Sequence, residues 1–85
     1  MTQTEMAEAI RAILPPNAQL VSFERNDVCF GNMTAVIRQG LKKHTFVTDR
    51  GDICLGNKLL YSHTSYQTDT FSMLITAIQH SLRST

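Results

Sequence analysis

The chain has little of what usually marks chemistry or a special environment. It contains no tryptophan, two cysteines and two prolines, and its net charge is +1, from eight Lys and Arg against seven Asp and Glu. A general nucleic-acid binder usually carries a basic excess, so this balance lowers the expectation of that function. The most apolar helical stretch, 71–78, is interrupted by Ser72 and Thr76, which argues against a membrane span. The first residues have neither the basic start nor the apolar run of a secretory signal, so the expected location is the cytoplasm.

The cysteines and histidines do not form a recognisable site. Cys29 and Cys54 are 25 residues apart, whereas zinc sites usually use closely spaced pairs. Each cysteine lies between apolar neighbours, which is typical of a small packing residue. The histidines lack the spacing of metal ligands and are expected to be solvated: His44, His63 and His80. The sequence therefore predicts no metal, no cofactor and no enzyme. The remaining enzymatic alternative is a site that the fold would assemble from Cys29, His44 and Asp49.

Apolar side chains recur at helical spacing over 2–14 and over 67–83, which predicts a helix at each end of one domain, 1–85. The two stripes are Met6, Ala9, Ile10, Ile13 and Leu14, and Phe71, Leu74, Ile75, Ile78 and Leu82. Thr2 and Glu5 have the spacing of a capping box. Pro15-Pro16 ends the first helix, because proline has no N–H to donate to an earlier carbonyl. Thr68 or Asp69 can cap the second helix.

Between the helices, over 18–62, the apolar period changes to two and turn residues interrupt it. This pattern predicts an α+β fold in which an antiparallel meander of four to six strands has both helices packed on one face. Gly31-Asn32 and Gly56-Asn57 are interpreted as hairpin turns, with bulges inside longer strands as the alternative. That choice decides the number of strands.

The sheet region also contains an internal similarity with an offset of 25 residues, between the units 20–38 and 45–63. Within these units, 24–32 and 49–57 share Arg, Asp, Cys, Gly and Asn at the same positions. Frequent use of turn residues explains the shared Asp, Gly and Asn, but it does not explain the shared Arg and Cys. We therefore interpret the two units as one repeated structural element.

Because successive side chains of a strand point to opposite sides, the apolar pattern predicts which residues lie on each face of the sheet. The face toward the helices is expected to hold the larger apolar side chains: Val21, Phe23, Val28, Phe30, Met33, Ala35, Ile37, Ile53, Leu55, Leu59 and Tyr61. The opposite face then holds Leu20, Cys29, Val36, Cys54 and Leu60, and it is more apolar than contact with water requires. Such a face suggests another protein or a second copy of this chain, with burial inside a curled sheet as the alternative.

These patterns predict a small non-enzymatic protein-interaction module: a regulator, inhibitor or adaptor that acts through its open sheet face or edges, with a homodimer as one form. The alternative is a nucleic-acid-binding accessory protein. It depends on a basic cluster around an expected loop, Arg38, Lys42 and Lys43, which would contact phosphate or an acidic partner. No interleaved aromatic residues offer a platform for stacking bases.

Overall fold

In the residues that the structure describes, two helices pack on one face of a five-stranded sheet. The computed structural model describes residues 2–26, 32–62 and 69–83. The elements in chain order are α1 (Gln3–Ile13), β1 (Ala18–Asn26), β2 (Asn32–Gln39), β3 (Lys42–Asp49), β4 (Asp52–Leu55), β5 (Lys58–Tyr61) and α2 (Thr70–Arg83). The strands lie side by side in chain order and each neighbouring pair is antiparallel. The predicted α+β meander is therefore confirmed.

Helix α1 begins with the predicted capping box. Thr2 Oγ1 accepts a hydrogen bond from the backbone N–H of Glu5 at 3.1 Å, and Glu5 Oε1 accepts one from the backbone N–H of Thr2 at 2.8 Å. The helix ends at Ile13, and Leu14 is extended. A residue that precedes proline avoids helical backbone angles, so Pro15 fixes this end.

The capping box makes the stability of α1 sensitive to acid. The pKa of the Glu5 carboxyl is lowered, chiefly by the hydrogen bond from the Thr2 backbone N–H and also by the Thr2 side chain. Because the folded pKa lies below the unfolded one, this stabilisation is complete above the unfolded pKa and is lost as the pH falls through the folded pKa. We expect Glu5→Gln to be less stable than the unchanged protein at neutral pH and to lose that difference in acid.

The stability difference between Glu5→Gln and the unchanged protein is measured by urea unfolding, followed by circular dichroism, at about pH 7, 4 and 3. These pH values bracket the titration of glutamate in unfolded chains, which lies near pH 4. Glu8→Gln is the matched control, because Glu8 is exposed on the same helix outside the capping box. If Glu5→Gln and Glu8→Gln respond to acid in the same way, the capping box is not the source of the sensitivity.

Two-residue turns join the last four strands. Arg50 and Gly51 both have positive φ, 54° and 91°, as the type I′ turn between β3 and β4 requires. In Gly40-Leu41 and Gly56-Asn57 only the glycine has positive φ, 61° and 60°, as in a type II′ turn. Gly56-Asn57 is therefore a turn, as predicted, whereas Gly31 lies outside the described residues.

The two units of the sequence similarity differ in local structure where both are described. Arg50 lies in a turn, whereas Arg25, the residue it was aligned with, lies inside β1. Asn57 also lies in a turn, whereas Asn32 is the first residue of β2. At these positions the 25-residue similarity is one of sequence that the fold does not reproduce.

Helix α2 begins after Asp69. The Asp69 carboxylate accepts hydrogen bonds from the backbone N–H of Phe71 at 3.3 Å and from the Ser72 hydroxyl at 3.5 Å. A carboxylate at this position satisfies a backbone N–H that the first helical turn leaves without a partner. The predicted residues 67 and 68 of this helix lie outside the described part of the chain.

A single core joins the stripes of both helices to one face of the sheet. Its buried apolar members are Met6, Ile10, Phe23, Met33, Ala35, Ile37, Phe46, Ile53, Phe71, Leu74, Ala77, Ile78 and Leu82. The rings of Phe23 and Phe71 meet edge to face, with centroids 6.3 Å apart and planes at 70°. Through this contact β1 packs against the first turn of α2.

A β-bulge in β1 corrects the predicted faces of two residues. Leu20 is opposite Ile37 and Ser22 is opposite Val36, so Val21 is an extra residue in β1. Leu20, predicted on the open side, packs against the core, whereas Val21, predicted in the core, is 51% exposed. A bulge reverses the alternation of faces on one side of it, and no residue pattern in β1 marks its position.

A second irregularity, between β4 and β5, has the same effect. Tyr61 is opposite Ile53 and Leu59 is opposite Cys54, so Leu60 is the extra residue. Leu60, predicted on the open side, packs against the core, and Leu59, predicted in the core, is 52% exposed. Val28, Cys29 and Phe30 lie outside the described residues, so their predicted faces stay predictions.

Candidate protein-interaction surface

The side of the sheet that faces away from both helices is the candidate surface, here called the open face. The strand register places on it Gln19, Ser22, Glu24, Thr34, Val36, Arg38, Lys43, Thr45, Val47, Asp49, Asp52, Cys54 and Leu59. None of these residues belongs to the core that the helices cover.

The centre of the open face is formed by small apolar side chains with threonines between them. Val36 is opposite Thr45, and Val47 is opposite Cys54, which in turn is opposite Leu59. Val36, Val47 and Cys54 are half-buried between their strand neighbours, and Leu59 is exposed. An apolar centre on a sheet face that no described helix covers is typical of surfaces that bind another macromolecule.

Like charges lie opposite each other at both ends of the open face. Arg38 is opposite Lys43 beside the β2–β3 turn, and these two residues form what we call the positive end. Asp49 is opposite Asp52 beside the β3–β4 turn, and these two form the negative end. Like charges directly opposite each other destabilise a sheet. The open face thus carries a cross-strand pair of like charges at each end, positive at one and negative at the other, with an apolar centre between them.

Neutral side chains contact both charged ends. Arg38 Nη2 donates a hydrogen bond to Gln19 Oε1 at 2.8 Å. Asp49 Oδ1 accepts one from Asn32 Nδ2 at 3.4 Å. These two contacts involve Arg38 and Asp49, and the side chains that make them carry no charge of their own.

The structure brings together only part of the predicted binding set. Val36 and Cys54 lie on the open face, Leu20 and Leu60 lie against the core, and Cys29 lies outside the described residues. Sequence reasoning missed Val47 and Leu59 as members of this face. Val47 is placed there by its register with Cys54 across the turn at 50–51, and Leu59 by its register with Cys54 across the turn at 56–57 and the irregularity after it.

The predicted basic cluster belongs to strands rather than to a loop. Arg38 ends β2 and Lys43 begins β3, so both lie on the open face, while Lys42 is opposite Gln39 on the helix side. Their turn contains only Gly40 and Leu41, because a two-residue hairpin is enough to join the strands.

The outer edge of β1 is partly covered by helix α1. Gln3 Nε2 donates a hydrogen bond to the carbonyl oxygen of Phe23, and Gln3 Oε1 accepts one from the backbone N–H of Arg25, both at 3.3 Å. The side-chain amide therefore occupies backbone groups that an added strand would use. This edge is a weaker candidate for binding than the open face.

The predicted enzymatic set is not gathered at one place. His44, expected to be solvated, is half-buried on the helix side opposite Ile37, and its Nε2 has no hydrogen-bond partner among the described residues. Asp49 is exposed on the open face, so the sheet separates it from His44. Cys29 and His63 lie outside the described residues, and His80 is exposed on α2 as expected.

A cavity of about 190 Å³ lies between the negative end of the sheet and the start of α2. Its polar lining includes Thr48 and Asp69, and both already have structural partners: Thr48 Oγ1 accepts the Met33 backbone N–H, and Asp69 caps α2. Within residues 2–26, 32–62 and 69–83, no cluster of His, Cys, Asp and Glu could hold a metal ion.

No protein-family model, no curated protein and no solved structure matches this chain. Neither described helix has both the length and the apolar character that crossing a bilayer would need.

Proposed function

We propose that this chain is a small, non-enzymatic cytoplasmic protein-interaction module, a regulator, inhibitor or adaptor, that binds its partner through the open face. One observation carries the proposal: the apolar centre around Val36, Val47 and Cys54 lies on the side of the sheet that neither helix covers. Charged residues surround this centre, as they surround the apolar core of many protein interfaces.

A photo-crosslinking amino acid at Leu59 tests the proposal inside cells. Leu59 lies on the open face and is 52% exposed, so the probe is tolerated and reaches a bound partner. We expect a protein adduct that forms at Leu59 and disappears when Val47→Glu is added, because a charge at the apolar centre blocks docking.

The matched control carries the same probe at Gln79, which is exposed on α2. Equal adducts at Leu59 and Gln79, or adducts that survive Val47→Glu in a folded protein, would overturn the proposal. Circular dichroism of each variant shows that the fold is intact.

Nucleic acid is the second candidate, and the positive end is the observation that favours it. Arg38 and Lys43 project side by side, and Gly40-Leu41 beside them forms an exposed turn. Phosphate contacts would make affinity fall steeply with salt. Fluorescence anisotropy with mixed DNA and RNA at low salt separates the candidates, since the protein-interaction function predicts no binding there.

A further inference from the structure

We propose that the partner of the open face is a second copy of this chain, docked so that the positive end of each copy lies over the negative end of the other. This inference rests on the proposed function, because it uses the same surface. It adds the identity of the partner and the orientation of the contact.

Symmetry leaves few ways for two copies of one face to meet. In a closed dimer the same patch is used by both subunits, and a two-fold axis relates them. For two sheet faces in contact, that axis lies between the sheets and parallel to them. An axis along the strands would place positive end on positive end, whereas an axis across the strands places each positive end on a negative end.

The charges select the second arrangement. Arg38 and Lys43 sit at one end of β2 and β3, and Asp49 and Asp52 sit at the other end of β3 and the adjoining start of β4. With the axis across the strands, each β3 lies antiparallel to the β3 of the other copy, so Lys43 of each copy comes opposite Asp49 of the other. Each end then lies over an end of opposite sign, and complementarity of this kind fixes the register of an interface.

The open face is smaller than a standard protein interface. The five strands cover roughly 500 Å² in plan, at about 3.3 Å per residue and about 4.8 Å between strands. A standard interface buries about 800 Å² on each partner. An interface of this size belongs with the weak, transient class of contacts, so the dimer is expected to be weak.

Analytical ultracentrifugation of the full chain from about 1 to 500 µM tests the dimer. We expect the mass to rise from monomer to dimer for the unchanged protein. Lys43→Glu and Asp49→Lys each turn two attractive contacts into repulsive ones, so each is expected to weaken the homodimer roughly tenfold at low salt. Glu8→Lys, a charge reversal on the exposed side of α1, is the control and should leave the association unchanged.

Mixing the two variants provides the decisive measurement. A Lys43→Glu copy and an Asp49→Lys copy place opposite charges at both contacts, so the equimolar mixture is expected to form heterodimers more readily than either variant forms homodimers. Native mass spectrometry separates the three species by mass. Salt near 1 M should remove these differences, because it screens exposed charges.

The proposal is overturned if the unchanged protein is monomeric across the concentration range, or if the mixture associates no better than the separate variants. Either result leaves the wider function separately testable. A Leu59 adduct to a different protein would then keep the interaction function and reject self-docking, whereas the absence of any specific adduct would reject both.

Discussion

Replacing Phe46 by alanine is expected to lower the free energy of unfolding by about 3–5 kcal/mol, the range for deleting a fully buried aromatic ring. Phe46 has no exposed surface and lies in β3, between Ala35 of β2 and Leu55 of β4. A domain of this length is stable by roughly 4–13 kcal/mol, so this one side chain accounts for a large share. At roughly 4–8 °C per kcal/mol, the thermal midpoint should fall by about 12 °C or more.

Val47→Ala is the matched control for Phe46→Ala. Val47 is the next residue of the same strand, but it lies half-buried on the open face. Its truncation should cost about 1 kcal/mol or less, the range for propensity changes within a strand. Thermal unfolding at low micromolar concentration, where a weak dimer dissociates, measures both variants. Equal losses of stability would show that the two faces are not assigned as described.

Thr48→Val is expected to destabilise the protein by about 1–3 kcal/mol, although the two side chains have nearly the same shape. Thr48 is 1% exposed, and its Oγ1 accepts a hydrogen bond of 2.8 Å from the backbone N–H of Met33. Met33 comes directly before Thr34, where the described pairing of β2 with β3 begins. The Thr48 hydroxyl therefore accepts the kind of hydrogen bond that a backbone carbonyl of β3 would accept inside the sheet. Valine leaves this buried N–H without an acceptor.

Thr45→Val provides the comparison for Thr48→Val. Thr45 belongs to the same strand and faces Val36 on the open face. The substitution there should change stability by less than about 0.5 kcal/mol, as for most surface positions. Urea unfolding of the two variants gives the difference directly. A Thr48→Val protein as stable as Thr45→Val would mean that the Met33 N–H finds another acceptor.

Much of the fold follows from local patterns. The spacing of Thr2 and Glu5 predicted the capping box, and Gly56-Asn57 predicted where β4 and β5 reverse direction. The helix stripes predicted which side of each helix enters the core. All of these features depend on residues that are close together in the sequence. Their local geometry therefore depends little on the rest of the fold.

The candidate surface followed only in part from the sequence. Val36 and Cys54 were placed correctly on the open face, because the strand between each of them and the nearest turn is regular. Leu20 and Leu60 were placed on the wrong face, because each adjoins a bulge. A bulge depends on how two strands pair, and neither strand alone determines that pairing.

The sequence by itself determined the two helices, the antiparallel meander and the apolar character of both sheet faces, because periodicity and turn chemistry are local properties. Only the tertiary structure decided the register, and the register decided what the open face contains. It placed Arg38 opposite Lys43 and Asp49 opposite Asp52, at the two ends of one surface. In the sequence these two positive and two negative residues lie within one short stretch that turns interrupt, so the separation of their charges on the folded surface exists only once the strands have paired.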